Sequence, residues 1–445
     1  MSRPRSDSNE HPTQAVRSTG QGAVAALVVR VVGVGVGFVV QVALARWLGV
    51  DEFGRYTLVL TLAVIAGSLA ALGFPTALMR WIPQYIDRGD APRLKGLLRS
   101  ARGLALATAI GLALGVAVCL AAVPALADSA YRAALGAGLL LLPLVALAQV
   151  ETGALKGLRR VVAALAPDSL LRPASIAAVA AILIAAGADL TAARAILCVV
   201  LALLLVVGLQ RTMTTRSLPI PLNGVEPRYD LRQWWRVAAP LFLVASFALL
   251  LRRTDLMMIG LLLQPSAVGI YGAASRVAEL VGFFLVAVTV AAPPVISSLY
   301  HRGRRDELQR LLAGLSLRVF LPALGLGLLL AAFGDRVLAL FGPEFTAGSR
   351  VLGLLVIGHL TSAAAGPVGF LLSMTDSQAT VARVYGVVTV VNAGLNLALI
   401  PRFGSAGAAV ATVLSIGLWN AWLYVVALRR TGLDPTVLSA LRRAR

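Results

Sequence analysis

The stretch SFALLLRRTDLMMIGLLLQPSAVGIYGAASRVAELVGFFL, residues 246–285, decides how the chain is read. Two apolar runs of membrane-crossing character are joined by a short polar turn, yet both carry charge. Arg252, Arg253 and Asp255 lie in the first run, and Arg276 and Glu279 near the start of the second. An ionised side chain at bilayer depth costs roughly 2.5–3.5 kcal/mol on insertion scales, so such residues face a bundle interior or a wet cavity. Arg252 and Asp255 are three residues apart, as are Arg276 and Glu279, which puts each pair on one helix face and allows a local ion pair. Arg253 is left without a local partner. One reading of the stretch is a structural clamp; the other is one wall of an anion-accepting cavity.

The rest of the composition agrees with a membrane setting. Hydrophobic residues make up 58% of the 445 residues and charged residues only 13%, with a mean hydropathy of +0.85. That is far from a soluble domain and reads as an all-α polytopic membrane protein. The formal charge of +20 is spread between apolar segments without a basic stripe and interleaved aromatics, so no nucleic acid is implied as a partner. Cys119 and Cys198 each sit in an apolar run, which supports neither a disulfide framework nor a zinc site. His11, His301 and His359 are far apart, and neither an H-E-x-x-H motif nor a Walker lysine loop occurs. No cofactor is expected.

A helix needs about 20 apolar residues to cross the hydrocarbon. Twelve spans meet that rule: 22–45, 57–79, 102–123, 132–151, 162–187, 190–210, 237–263, 269–298, 312–333, 349–372, 380–400 and 405–428. Pro167 and Pro173 interrupt the fifth, and Pro293 and Pro294 the eighth. Basic residues concentrate in the tails and the even-numbered connections, among them Arg88, Arg93, Lys95 and Arg99, then Lys156, Arg159 and Arg160, then Arg302, Arg304, Arg305 and Arg310. The opposite loops keep only Arg46, Arg55, Arg132, Arg194, Arg336, Arg350 and Arg402. This bias is the positive-inside pattern and predicts an even number of spans with both termini cytoplasmic. The N-terminal residues 1–21 are polar and expected to be a disordered cytoplasmic tail, and 429–445 a basic cytoplasmic tail.

An internal repeat organises the spans. LGVDEFGRY (48–56) and LLQPSAVGIY (262–271) share one pattern, with Gly54 and Tyr56 matching Gly269 and Tyr271. RGDAPRLKGLL (88–98) and RRDELQRLL (304–312) follow at nearly the same offset. The Pro- and Arg-rich connection 211–236 reads as a linker. Two six-helix lobes of like orientation, 22–210 and 237–428, related by an axis along the membrane normal, are therefore expected.

If the lobes enclose a cleft, small and polar residues at helical spacing should line it. Arg30, Gly33, Gly37 and Gln41 share one face of the first span; close helix packing accounts for the glycines but not for Arg30. Asp168 and Arg172 form an i,i+4 pair in the fifth span. His359, Ser362, Gly366, Gly369 and Ser373 make a stripe in the tenth, and Thr389, Asn392 and Asn396 one in the eleventh; such groups usually serve inter-helix hydrogen bonds. Clustered arginines in a wet cleft suit a phosphate or pyrophosphate, whose oxygens match the forked guanidinium donors. The residues singled out as substrate-binding are Arg30, Arg172, Arg252, Arg253, Asp255, Arg276 and Glu279.

Several stretches resemble the polysaccharide-type flippases of the multidrug/oligosaccharidyl-lipid/polysaccharide exporter superfamily. They are ARWLGVDEFGRYTLVLTL, LGFPTALMRWIPQYI, LLRPASI, RTDLMMIGLLLQPSAVGIYGAASRVAELV, FGPEFTAGSRVLGLLVIGHLTSAAAGPVGFLLSMTD and LNLALIPRFGSAGAAVATVLS, and their order spans nearly the whole chain. The resemblance implies a V-shaped, MATE-like pair of bundles that rocks between inward-open and outward-open states. It also implies a polyprenyl-pyrophosphate-linked glycan as substrate, with a polysaccharide polymerase and glycosyltransferases as partners acting on the same lipid. Among the possible cleft cations only Arg253, in the R-x-D pattern with Asp255, sits in a recognisable family motif.

Three rivals are weighed. A cation-coupled drug exporter of the same superfamily needs a carboxylate-rich cavity, whereas the intramembrane arginines outnumber the lone carboxylates. Peptidoglycan-precursor flippases tend to carry two further C-terminal helices, and this chain is expected to stop at its twelfth span. An enzyme acting on such lipids needs a sizeable outer loop and a reactive constellation; the outer loops are short and hold no paired carboxylates or nucleophile–base set.

Overall fold

A computed structural model describes residues 11–122, 129–288, 292–375 and 377–443. In chain order its helices are α1 (His11–Ala70), α2 (Phe74–Asp87), α3 (Ala91–Ala122), α4 (Ser129–Leu139), α5 (Leu141–Gly157) and α6 (Val161–Ala166). A π turn (Pro167–Leu171) leads into α7 (Arg172–Ala185) and α8 (Ala192–Arg216). The second half holds α9 (Leu231–Leu262), α10 (Pro265–Val288), α11 (Ala292–His301), α12 (Arg305–Ala339), α13 (Ser349–Ala365), α14 (Val368–Met374), α15 (Gln378–Thr431) and the short α16 (Val437–Arg443).

Among the described residues ten helical segments are long and apolar enough to cross a membrane. Two of them fold back on themselves: α1 turns at Gly49 (φ 73°, ψ 172°) and α15 at Gly404 (φ 59°, ψ −142°), backbone conformations open to glycine. Dividing these two gives the twelve crossings expected. Several bounds differ. The helix of α1 begins at His11, inside the tail expected to be disordered, while residues 1–10 lie outside the described residues. The second crossing ends at Ala70 and resumes as α2, and the tenth stops at Ala365, where Gly366 (φ 70°) turns the chain. The linker shortens to 217–230 because α8 and α9 extend into the span assigned to it.

The repeat is a repeat of structure. The turn at Gly49 has its counterpart between α9 and α10. Gly89 (φ 66°) and Gly303 (φ 69°) make matching left-handed turns before α3 and α12.

The halves meet at the matching glycines. A methyl group built on Gly54 would sit 1.9 Å from the Pro265 carbonyl oxygen and 3.1 Å from the Gly269 nitrogen; one on Gly269 would sit 2.4 Å from the Val50 carbonyl. The two backbones cross where neither tolerates a side chain, the device by which membrane helices pack closest. Rings seal the same end: Phe38 packs edge-on to Phe341 at 5.7 Å between centroids, and Phe53 to Phe345 at 5.7 Å. Arg46 donates from Nε to the Leu340 carbonyl at 2.6 Å. At the opposite end Trp234 donates to the Tyr85 hydroxyl at 2.8 Å, and the linker lies against α3, with Lys95 bonding the carbonyls of Leu222 (2.9 Å) and Val225 (2.8 Å).

Within the first half a buried ion pair ties three helices. Arg102 of α3 grips Glu151 of α5 through two bonds of 2.7 and 2.9 Å, and Thr214 of α8 donates to the same carboxylate at 3.0 Å. Glu151 is 1% exposed, so its charge rests on these three donors. If the glycine crossing fixes the halves, Gly54→Ala and Gly269→Ala each lower the thermal unfolding midpoint in detergent. Gly35→Ala, with nothing within 4 Å of the added methyl, should leave it unchanged or raise it; equal midpoints for all three would mean the crossing has slack.

Candidate functional site

The site grows from α9 and α10. On α9, Arg252 is exposed and Arg253 half-buried, both well inside the helix rather than at its ends. One turn on, where α10 and α15 cover the helix, Asp255 is buried. Its Oδ2 accepts the Tyr271 hydroxyl at 2.5 Å and its Oδ1 the Leu256 amide at 2.8 Å, with Thr412 of α15 a weak third contact at 3.5 Å. The carboxylate is thus engaged in joining α9 to α10. Among the described residues neither Arg252–Asp255 nor Arg276–Glu279 forms an ion pair. At Asp255 the local clamp gives way to the Tyr271 hydroxyl, and Arg276 lies within electrostatic reach of Arg253 and Tyr56.

The cations of the two halves approach one another. Arg30 of α1 lies within electrostatic reach of Arg252, and Arg253 within reach of Arg252, Arg276 and Glu279. Tyr56, fully buried next to the crossing, lies within reach of Arg172 from one half and Arg276 from the other. Like charges at this spacing repel, so the fold holds them together against their own field. Arg252 and Glu279 are exposed although they sit mid-helix. Charge at mid-helix depth is ordinarily turned to a bundle interior or a wet cavity rather than to lipid.

The fifth crossing supplies the other wall. Pro167 and Pro173 lack amide donors, so the helix between them cannot keep its regular bonds. It widens into the π turn instead, a distortion common at functional positions. The turn sets Arg172 Nη1 3.0 Å from Asp168 Oδ1, with both side chains about 40% exposed (38% and 42%). Gly33 of α1 packs on this turn, its missing methyl 2.7 Å from the Ser169 Cβ, whereas Gly37 has nothing within 4 Å and is not a packing glycine.

Electrostatic reach links Arg30 to Arg252, Arg253 to Arg252, Arg276, Glu279 and Asp255, and Arg172 and Arg276 to Tyr56, so the seven residues singled out from the sequence lie on neighbouring helices. Three partners were missed as site residues. Lys156, read as a loop charge, ends α5 half-buried within reach of Arg30 and Asp168. Asp168 was seen only as Arg172's pair. His359 packs against α10 where Gly282 leaves room, 2.8 Å from the position of the absent methyl, and within reach of Glu279. No signal in the sequence distinguishes Lys156 from Arg159 and Arg160. The polar stripes serve packing: Asn392 donates to Ser415 at 3.0 Å, Asn420 to Ser362 at 3.2 Å, and Thr389 to the Phe247 carbonyl at 3.3 Å. The tenth-span stripe is broken at Gly366. Among the described residues no cluster of His, Cys, Asp or Glu is placed to hold a metal ion.

A family model described as polysaccharide biosynthesis protein matches residues 19–300. The chain belongs to that family. The probable flippase AglR of Haloferax volcanii is 32% identical over 168 residues, and the probable low-salt glycan biosynthesis flippase Agl15 of the same organism is 31% identical over 168. Each match covers 37% of this chain and 35% of the relative, so the chain matches about a third of the length of these proteins. The fold is shared more widely. The lipid II flippase MurJ in an inward closed conformation superposes with a TM-score of 0.72 at 13% identity, covering 95% of this chain and 91% of that one. An inward-facing multidrug resistance MATE transporter of the MOP superfamily superposes with a TM-score of 0.70 at 15% identity, covering 94% and 99%. The chain is a multi-pass membrane protein of the MATE-like, two-bundle architecture.

Tyr271 bonded to a buried carboxylate makes a sharp prediction. Tyr271→Phe should cost about 1.5–3 kcal/mol, the range for a hydrogen bond to a charged group. Asp255→Asn, added to it, should cost less than the two single changes together. Thermal unfolding of the four proteins checks this; strict additivity would mean that the bond contributes nothing.

Proposed function

We propose that this protein is a flippase that carries a polyprenyl-pyrophosphate-linked glycan across the cytoplasmic membrane by alternating access of its central cleft. One set of observations carries the reading: Arg30 of the first half lies within electrostatic reach of Arg252 of the second, Arg253 within reach of Arg252 and Arg276, and Arg172 and Arg276 within reach of Tyr56, and of these five arginines only Arg172 has an ion-pair partner among the described residues. A site of this kind is short of negative charge. A pyrophosphate diester supplies it, with oxygens spaced for bidentate guanidinium contact, while the polyprenyl tail stays in lipid. A cationic drug would meet repulsion in the same place.

The relatives named as flippases and the family described by polysaccharide biosynthesis support the same substrate class. The loop charge bias supports both termini on the cytoplasmic side. Enzymes that build and consume such a lipid, glycosyltransferases and a polymerase, then work on either side of the transport step. The lipid II flippase with the same fold keeps a peptidoglycan-precursor cargo as the nearest variant, since the pyrophosphate chemistry is shared.

Translocation of a fluorescent polyprenyl-pyrophosphate-linked sugar in liposomes tests the proposal. Wild type should transport it, and Arg252→Ala and Arg253→Ala, folded and inserted, should each lose at least about tenfold, the scale of a lost charge-assisted contact. Transport that is equal in all three proteins would make those arginines structural and move the site elsewhere.

A further inference from the structure

The carboxylates of α5, the π turn, α9 and α10 are four, and they fall into two kinds. Glu151 is fixed by Arg102 and Thr214, and Asp255 by Tyr271 and the Leu256 amide; both are buried. Asp168 is partly exposed and Glu279 exposed. Asp168 holds a single 3.0 Å contact to Arg172 at about 40% exposure, with Lys156 within electrostatic reach. Glu279 is exposed, forms no ion pair with Arg276, and is flanked by Arg253 on α9 and by His359, which the bare backbone at Gly282 admits one turn along α10. Each half of the molecule therefore presents one loosely held carboxylate among its cations.

We propose that Asp168 and Glu279 are internal stand-ins for the substrate's pyrophosphate, neutralising the cleft when it is empty and being displaced when the lipid head group binds. This rests on the flippase reading and deepens it. The physical need is clear from the charge count: the named cleft cations, Arg30, Lys156, Arg172, Arg252, Arg253 and Arg276, outnumber the nearby carboxylates Asp168, Asp255 and Glu279 by two to one. An empty carrier must close and reopen around that excess, and desolvating unpaired charge is costly. Exposed carboxylates swing onto the arginines at little cost, because a half-exposed ion pair contributes only about 0–1 kcal/mol and is readily exchanged for a dianion. Buried partners such as Glu151 could not be exchanged in this way. The stand-ins compete with substrate, so they weaken binding and speed release and return.

The test separates affinity from turnover. Binding of a fluorescent polyprenyl-pyrophosphate-linked disaccharide to purified wild type, Asp168→Asn and Glu279→Gln is measured by titration, and transport of the same lipid in liposomes. Each neutralised variant should bind about fivefold more tightly, the upper end for a half-exposed pair, and turn over more slowly at saturating lipid. Glu279→Asp should restore wild-type behaviour in both measurements. A merely structural role would weaken binding instead. Unchanged or weaker binding in either variant, with wild type binding normally, overturns the inference and leaves the flippase reading standing. Absence of binding to wild type overturns both.

Discussion

Everything in this molecule follows from how closely two backbones approach at Gly54 and Gly269. The repeat brings each glycine to the other's first turn, where an added methyl would lie inside a carbonyl oxygen's radius. That contact joins the halves at one end, with Phe38, Phe53, Phe341 and Phe345 packed around it. Below it the same two helices, α1 and α10, carry Arg30, Tyr56, Arg276 and Glu279. The crossing therefore sets the distance between the two charged walls. A looser junction would let the charges separate into solvent, and a tighter one is sterically excluded.

The second constraint is electrostatic. Charge inside the membrane is stabilised either by a fixed partner or by water, and this protein uses both. The Arg102–Glu151 pair and the Asp255–Tyr271 bond are closed systems, in which each carboxylate oxygen is met by a donor. The cleft is left open by contrast, with like charges facing each other and carboxylates only loosely engaged. On the proposed function, stability and binding fall to separate sets of charges, and the site could trade its partners without loosening either half.

How much of this could be read in the sequence depends on the range of the interaction. Crossing helices announce themselves through local hydropathy, and the repeat through the recurrence of Gly54 and Tyr56 as Gly269 and Tyr271. The intramembrane arginines were conspicuous because apolar surroundings make charge anomalous. The i,i+3 pairs, although permitted by helix geometry, lost to a contact sixteen residues away, since Tyr271 offers Asp255 a buried hydroxyl that local spacing cannot predict. Lys156 escaped notice because a lysine at a helix end looks like any loop charge until α1 and the π turn are placed beside it. The Arg102–Glu151 clamp links residues 49 apart in two different crossings and leaves no periodic trace. Even the helical residues 11–21 were hidden, their polar composition concealing a continuation of α1.

The claim that the facing charges line water, not lipid or packed protein, is open to one direct measurement. In nanodiscs, which expose both membrane faces, single cysteines at Glu279→Cys and Leu329→Cys are placed in a background lacking Cys119 and Cys198. Both positions are exposed and mid-helix, the first in the cleft and the second on the outer surface of α12. A membrane-impermeant, negatively charged thiol reagent should label position 279 rapidly and position 329 hardly at all, and polyprenyl-pyrophosphate-linked glycan should protect 279. Equally slow labelling at both positions would place Glu279 in lipid and contradict the account.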